Sequence, residues 1–388
     1  MAEKRSYSPL VDYVQFKEII TGPTAKVSTL KWKVWGTDIG LPFYSPKHDA
    51  LYYIFGDTFS TPFPKDGKDW RGTVIGMNKI STIKDGDFQF DSFITDETGM
   101  AKDILPSHHC ANDAEYEVTK IATGGIEIKG VLYLFYESIR KWDHPNASWE
   151  INYAGVIKSA DDGQTWERLH DLTWVEAASG KHVNTIRTIA EEDINMKPTG
   201  VKLDLEKRVC PAFAQIYVIP HEEYAYIYGR RGGRQHGIVV GRVKLDDFEK
   251  FDEYEYLVGY DVNNAPQWLK GTKGLKYINE HEEACSIVPK PTANMTVMYN
   301  DYLKKWLLLY YKPHVNIVMH TAETPYGPFT QNYDILIGRD YPFPKGKYIY
   351  GCNTHEYLCL EDGKIIRLIL SQWTDQIYAS ELYEIKFK

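Results

Sequence analysis

The stretch ALYYIFGDT, residues 50–58, decides the fold because its form recurs four more times along the chain. Each copy is an apolar strand, rich in Tyr and Leu, that ends in small or polar residues. The other four are VLYLFYES at 131–138, YAYIYGRR at 224–231, KWLLLYYKP at 305–313 and KIIRLILSQ at 364–372. Self-similarity of this kind is typical of repeat architectures. The sequence therefore predicts an all-β, five-bladed β-propeller, in which radial repetition leaves only short sheet edges.

The surroundings of these strands repeat as well. A short strand and a turn precede each copy and a further strand follows it, as in all-β folds. Helical signals are weak and are confined to about 183–192 and 243–250. A two-sheet jelly roll is the competing architecture, and it predicts eight comparable strands instead of five recurring units. We expect a single domain over 1–388, with blades at roughly 30–100, 118–170, 210–260, 283–335 and 348–388, the last closed by the N-terminal strand 10–20.

One short motif supports a propeller independently. Residues 159–166, SADDGQTW, match the Asp-box pattern S-x-D-x-G-x-T-W at every defined position. In such a hairpin turn we expect Asp161 to accept hydrogen bonds from backbone amides, Gly163 to take a positive φ and Trp166 to pack on the blade. Asp boxes recur in sialidases and other propellers at the outer rim, away from the catalytic centre. This motif predicts fold and not chemistry.

Composition narrows the class of partner. A formal net charge of -8 argues against a general phosphate-backbone binder, so no nucleic acid is expected. The aromatic fraction of 14% suits a carbohydrate polymer, because sugar rings stack on aromatic side chains, although the same residues also fill β-cores. No apolar run approaches the roughly 18 residues that span a membrane, so no membrane insertion is expected.

The five cysteines are scattered without a CxxC pair, which favours neither a zinc site nor a disulfide framework. The N-terminal segment MAEKRSYSPLVDYV lacks the apolar core of a signal peptide. The native compartment stays open: cytoplasmic, or extracellular or periplasmic where a signal peptide has been removed. The sequence also leaves the oligomeric state open.

Two aspartates stand at strand ends in the first predicted blade. Asp57 ends the strand of residues 50–55, and Asp38 lies in WKVWGTDIGLP twelve residues before that strand begins. If both point to the mouth of the channel, they form the paired carboxylates that glycosidases use as acid and as base or nucleophile. The alternative is that both acids only cap turns.

Further candidates follow from the same geometry. Glu283, in NEHEEACSIV just before the fourth blade, is the predicted third catalytic acid, with Glu282 as a substitute and a solvated charge run as the alternative. The predicted substrate-binding residues are Arg71, Arg234, Gln215, His355 and Trp373. The two arginines lie in loops beside glycines, where a guanidinium could bind sugar hydroxyls or brace the carboxylates.

Several catalytic signatures are missing from the sequence. It contains no GxSxG elbow, no HExxH helix and no Walker motif, and the Gly-rich run GRRGGRQHG is not followed by the Lys-Ser/Thr of a phosphate loop. The early Arg-Ile-Pro motif of sialidases is missing too, which counts against that family.

Eight segments, in this order, resemble the DUF4185 family over nearly the whole chain. They are GTDIGLPFY, LYYIFGDTF, DWRG, TGGIEIKGVLYLFYES, SADDGQTW, YIYGRRGGRQHGIVVGRV, TAETPYGPF and LILSQW. Members of this family include bacterial and phage endo-D-arabinanases, grouped as glycoside hydrolase family 183, with a five-bladed propeller. The resemblance implies that Asp38 and Asp57 are the catalytic pair. Where the family commonly has Arg-Ser-Asn, this chain has Arg71-Gly72-Thr73.

The predicted function is hydrolysis of a glycosidic bond in a polysaccharide, and the resemblance implies an arabinan-type furanose polymer. No cofactor is required; an oxygen-rich channel is compatible with a structural calcium ion, although no EF-hand loop is present. The main alternative is a non-catalytic carbohydrate-binding propeller. A structural or protein-interaction propeller is a further alternative, and a sialidase-like or lyase activity is a weaker one.

Overall fold

The structure is a computed structural model that describes residues 9–63, 65–84, 88–143, 148–312, 316–329, 331–337 and 348–388. Strands dominate this part of the chain, so the all-β class predicted from the sequence is confirmed. The chain folds into two compact units. We call Met1–Ile104 with Ala293–Lys388 the terminal unit, and Leu105–Thr292 the central unit.

The terminal unit contains three antiparallel four-stranded sheets among its described residues. In the first, the strands follow one another in chain order: β2 (Ile39–Ser45), β3 (Ala50–Phe55), β4 (Val74–Lys79) and β5 (Ser92–Phe93). A short helix, α1 (Ile80–Lys84), follows β4. Every residue of β3 is buried, as expected for a continuous apolar run.

The other two sheets of the terminal unit come from the end of the chain. One has the order β16 (Met295–Asn300), β17 (Lys305–Lys312), β18 (Asn316–Ala322) and β19 (Gln331–Ile337). The last consists of β20 (Tyr348–Asn353), β21 (Ile365–Trp373), β22 (Tyr378–Phe387) and β1 (Val11–Ile19). Since β1 pairs with β22, the N-terminal strand completes a sheet that is otherwise made by the C-terminus.

The central unit contains two sheets and two helices among its described residues. One sheet has the order β6 (Thr119–Ile128), β7 (Val131–Asp143), β8 (Ser148–Ser159) and β9 (Glu167–Val175). The other has β10 (Gln215–His221), β11 (Tyr224–Arg230), β12 (His236–Lys244), β13 (Glu255–Tyr260) and β14 (Pro266–Lys270), while β15 (Val288–Thr292) pairs with β12. The helices are α2 (Val183–Ala190) and α3 (Gly271–Cys285).

The five similar segments hold equivalent places in these sheets. They form β3, β7, β11, β17 and β21, and each is the second strand of its sheet. A strand with a neighbour on each side has both backbone edges paired. Most residues of these five strands are also buried, and this explains why one apolar pattern recurs five times.

The helices were only partly predicted. Helix α2 lies within the predicted 183–192, but 243–250 contains the end of β12 and a single 3-10 turn. Helix α3 was not predicted, because Gly271 and Gly274 lower the helix propensity of its first turn. Gly274 is needed there, since a Cβ would lie 2.4 Å from the Leu269 carbonyl oxygen.

The turn between β8 and β9 is built around Asp161. Its Oδ1 accepts from the Thr165 amide and from the Ser159 hydroxyl, both at 2.8 Å, and its Oδ2 accepts from the Thr165 hydroxyl at 2.6 Å. Gly163 has φ 88°, and the Trp166 indole donates to the Gly163 carbonyl. The hydrogen bonds from Thr165 lower the pKa of Asp161 to about 2.

This turn gives a pH-dependent prediction. A carboxyl whose pKa is lower in the folded state stabilises the fold above its unfolded pKa, about 3.9, and loses that contribution as the pH falls toward 2. We expect Asp161→Ala to lower the unfolding midpoint at pH 7 and the difference from wild type to shrink below about pH 4. Denaturant unfolding of both proteins between pH 3 and 7 measures this, with the non-titrating Asp161→Asn as the control. A constant difference across that range would contradict the assignment.

Candidate functional site

Asp38 and Asp57 lie at the same end of one hairpin. Strands β2 and β3 are antiparallel and pair Ile39 with Phe55, so the residue before β2 and the residues after β3 come together. The Gly56 amide donates to the Asp38 carbonyl oxygen at 3.2 Å. Antiparallel pairing therefore places the two strand-end acids side by side, as the sequence predicted.

Gly56 lets the Asp38 side chain lie against the backbone next to Asp57. A Cβ on Gly56 would be 2.4 Å from Asp38 Oδ1 and 2.8 Å from Ile39 Cδ1, which is closer than any real contact. The glycine of the sequence FGDT is therefore required by the position of the Asp38 carboxylate across the hairpin.

Three aromatic side chains hold the two carboxylates. Tyr350 donates its hydroxyl to Asp38 Oδ2 at 2.6 Å, and the Trp70 indole donates to Asp57 Oδ1 at 2.7 Å. Burial, followed by the electrostatic effects of Asp38, Tyr350 and Asp57, raises the pKa of Tyr378, which also hydrogen-bonds Asp38. Gly56 packs against the Asp38 carboxylate and directly precedes Asp57, so we treat the two aspartates and the three aromatic residues as one group, which we call the aspartate cluster.

The last sheet supplies the two tyrosines and is tied to the start of β2. The backbone amide of Ile39 donates to the Ser371 hydroxyl at 2.8 Å. The side-chain amide of Asn353 donates to the Ile39 carbonyl oxygen at 2.9 Å. Trp373 pairs with Tyr378 in the ladder between β21 and β22, so the two side chains share one face. Trp373 is 36% exposed, and this predicted substrate-binding residue therefore lies beside the aspartate cluster with its indole open to solvent.

Aromatic rings also back the cluster. Phe59 and Phe63 stack with their centroids 4.0 Å apart, and Phe63 meets Tyr378 edge-on at 5.2 Å. Phe59 also faces Trp70 at 6.1 Å. An apolar backing strengthens electrostatic interactions at the carboxylates and fixes the side chains that donate to them. The arrangement can hold two acids in fixed positions against a polar ligand.

Arg71 has a structural position. It is 3% exposed, and its guanidinium donates to the carbonyl oxygens of Lys33, Ala101 and Asp69 at 2.7 to 3.1 Å. These bonds fix the loop that carries Trp70. The predicted contact between Arg71 and substrate is therefore corrected to a backbone brace, because carbonyl groups occupy its donors.

His355 lies away from the aspartate cluster. Its Nδ1 accepts from the Tyr357 amide at 3.2 Å and so caps a short 3-10 turn, and its ring lies near Tyr44. Tyr44 lies toward the other end of β2 from Ile39, the residue next to Asp38. Burial lowers the pKa of His355 to about 4, as suits a neutral cap.

Glu283 belongs to the central unit and lies on α3. Its side chain is 80% exposed and is paired with Lys290, so the prediction of a third catalytic acid is corrected to a solvated surface charge. The reason is the unpredicted helix, which turns this residue to solvent. Its neighbour Glu282 is mostly buried and accepts from Arg231 Nε at 2.7 Å.

Gln215 and Arg234 lie in a second group, the central polar cluster, with Glu137, Trp149 and Arg230. Glu137 follows the apolar part of β7 and is buried; its Oε1 accepts from Gln215 Nε2 at 2.7 Å and its Oε2 from the Trp149 indole at 2.9 Å. Burial raises the pKa of Glu137, although both hydrogen bonds lower it. Arg230 and Arg234 have their Cζ atoms 5.5 and 5.7 Å from the Trp149 ring. Glu137 is not predicted from the sequence, although it lies in the polar end of the recurring segment 131–138, as Asp57 does in the segment 50–58.

No group of three or more His, Cys, Asp or Glu side chains that could hold a metal ion occurs among the described residues. All five cysteines are free thiols. Within the described ranges, no helix is long and apolar enough to cross a membrane.

Comparison with known proteins gives a family and a fold. The profile of a family described as "Domain of unknown function (DUF4185)" matches residues 24–384. Notoamide biosynthesis cluster protein J from Aspergillus sp. (strain MF297-2) is 23% identical over 368 residues, which cover 91% of this chain and 84% of that protein.

Two solved structures are similar to this chain. A candidate hydrolase from Bacteroides ovatus has a TM-score of 0.51 and 13% identity, covering 92% of this chain and 87% of its own. The catalytic domain of the GH62 alpha-L-arabinofuranosidase from Coprinopsis cinerea has a TM-score of 0.45 and 8% identity, covering 99% and 98%. At these identities the likeness concerns the fold alone.

Proposed function

We propose that this chain, which belongs to the DUF4185 family, is a glycoside hydrolase that cleaves a polysaccharide, and that its substrate is a furanose polymer of the arabinan type. Asp38 and Asp57 are the two carboxylates of the reaction. The five-bladed β-propeller and the single domain expected from the sequence are part of this proposal. Five consecutive antiparallel sheets, each with its recurring strand in second place, support it.

One observation carries the proposal: the antiparallel pairing of β2 and β3 brings Asp38 and Asp57 to the same end of one hairpin, where the Gly56 amide donates to the Asp38 carbonyl oxygen. Glycosidases need two carboxyl groups beside one bond, one to protonate the leaving oxygen and one to act as base or nucleophile. Asp38 hydrogen-bonds the hydroxyls of both Tyr350 and Tyr378, and hydrogen bonds of this kind favour the ionised carboxylate. Asp38 accepts from two tyrosine hydroxyls whereas Asp57 accepts from the Trp70 indole, so we assign Asp38 as base or nucleophile and Asp57 as acid.

The exposed indole of Trp373 supports the alternative function, a non-catalytic carbohydrate-binding propeller. An aromatic face beside fixed acids can also bind a sugar without cleaving it. The test is a reducing-end assay on arabinan, arabinogalactan and related furanosides. We expect the wild type to release oligosaccharides from at least one of them. A folded protein that binds one of these polymers and releases nothing from any of them would favour the non-catalytic carbohydrate-binding propeller.

Tyr350 gives a prediction about the role of Asp38. We expect Tyr350→Phe to lower kcat/KM by about tenfold to a hundredfold and to move the acid limb of the pH–rate profile to higher pH, because Asp38 loses a donor that favours its ionised form. The matched control is Tyr44→Phe, which removes a hydroxyl bonded to an exposed carboxylate, Asp49, in the hairpin between β2 and β3. If Tyr350→Phe lowered kcat/KM without shifting the acid limb of the pH–rate profile, the assignment of Asp38 as base or nucleophile would be contradicted.

A further inference from the structure

Arg230 is a buried arginine with one edge of its guanidinium unused. It is 1% exposed, and its Nη1 donates to the carbonyl oxygens of Gly233 and Arg231. Its Nε and Nη2 are buried and have no hydrogen-bond partner among the described residues. A buried donor without an acceptor is costly, and for a charged group the cost is larger.

The two unused donors lie on the same edge. In a planar guanidinium, the N–H of Nε and one N–H of Nη2 point in parallel, and their spacing matches the two oxygens of a carboxylate. The opposite side of Arg230 is already bonded to the backbone. The open edge therefore has the pair of donors that a planar, two-oxygen anion requires.

The surroundings favour an added negative charge. Arg234 lies over the same indole as Arg230, and burial, together with the repulsion from Arg234, lowers the pKa of Arg230 to about 9 against the attraction of Glu137. The hydrogen bonds that Glu137 accepts from described residues come from Gln215 and Trp149. Glu137 supplies one negative charge beside these two guanidinium groups, so one added carboxylate would balance the second.

Glycines fix this arrangement. A Cβ on Gly232 would lie 2.6 Å from the Trp149 carbonyl oxygen, and Gly233 has φ 85°. Only glycine allows the loop to pass this close to the backbone of β8. The Gly-rich run therefore holds Arg230 and Arg234 against Trp149.

We propose that the central polar cluster is a binding site for the carboxylate of an acidic sugar, with the open edge of Arg230 making a bidentate contact and Arg234 adding charge. That the carboxylate is carried by a sugar rests on the proposed action on a polysaccharide, with the acidic sugar a uronic acid unit beside the neutral arabinose units; the anion site rests on Arg230 itself. A planar monoanion fits the single open edge better than a tetrahedral phosphate, whose further oxygens would be buried without donors.

The test is calorimetric titration of the whole chain with glucuronate, glucose and inorganic phosphate at low salt. We expect glucuronate to bind at least about tenfold more tightly than glucose or phosphate, and Arg230→Lys to remove that preference, because an ammonium has no such edge. The matched control is Arg242→Lys, which changes an arginine that also lies over an indole but donates to Glu255. Its glucuronate affinity should equal that of the wild type.

Two further variants test the anion site if Arg230→Lys does not fold or if the protein does not hydrolyse polysaccharide. If Arg230→Lys fails to fold, Arg234→Gln, at a half-buried position, should weaken glucuronate binding at least about threefold. Asp38→Asn should bind glucuronate as the wild type does, so a protein without hydrolase activity can still confirm the anion site. Equal affinity for glucuronate and glucose, tighter binding of phosphate, or a folded Arg230→Lys that binds like the wild type would overturn the proposal.

Discussion

We expect Asp38→Asn and Asp57→Asn each to lower kcat on the preferred polysaccharide by about a thousandfold or more, which is roughly 4 kcal/mol of transition-state stabilisation. An asparagine keeps the size of the side chain and can still accept from Tyr350 or Trp70 through its oxygen. It cannot take up or give a proton and cannot act as a carboxylate nucleophile. The loss should therefore appear in kcat, with the fold and binding largely preserved.

The matched control is Asp49→Asn in the hairpin between β2 and β3. Asp49 accepts from the Tyr44 hydroxyl at 3.0 Å and has φ 46°, a conformation that asparagine tolerates. We expect its kcat to stay within about twofold of wild type. Initial rates at saturating polymer, with thermal unfolding as the check on folding, measure both effects. If either variant of the pair kept wild-type activity, that aspartate would be only a turn cap.

The second large effect is expected from Gly56→Ala. The added Cβ would lie 2.4 Å from Asp38 Oδ1 and 2.8 Å from Ile39 Cδ1, so the carboxylate must move by an ångström or so. A displacement of that size at a reacting group costs about a hundredfold in rate. We expect that loss in kcat/KM together with a lower melting temperature.

Gly36→Ala is the control for Gly56→Ala. Neither glycine has a left-handed backbone, and a Cβ on Gly36 would meet Phe63 Cβ at 3.3 Å, a tight contact that small shifts can relieve. Steady-state kinetics of both variants at one temperature distinguish displacement of the Asp38 carboxylate from the general effect of an added methyl group. Equal activity of the two variants would show that the contact between Gly56 and Asp38 has no part in catalysis.

The sequence predicted what depends on neighbouring residues. Apolar runs with turns between them predict the strands, and a hairpin brings Asp38 and Asp57 together over a short separation. The Asp161 turn is local as well, because all its bonds lie within eight residues. Each of these features can be found without knowing how the sheets pack.

The contacts that the sequence did not predict join residues that are far apart in the chain. Tyr350 is 312 positions from the aspartate it bonds, and Gln215 is 78 positions from Glu137. Arg71 could not be told from a ligand contact, because its partners are backbone carbonyls of other loops. The prediction of Glu283 as a catalytic acid was wrong because two glycines lower the helix propensity at the start of α3, so the helix that carries Glu283 was not predicted.

The most direct test of hydrolysis is a proton NMR time course of the wild-type protein with arabinan. Hydrolysis adds water across the glycosidic bond, so we predict new reducing-end anomeric signals and no olefinic signals, and the first anomer formed will show whether configuration is inverted or retained. Asp38→Asn should leave the spectrum unchanged over the same period. A folded wild type that binds the polymer and produces no new reducing end, or one that produces an unsaturated product, would contradict the account.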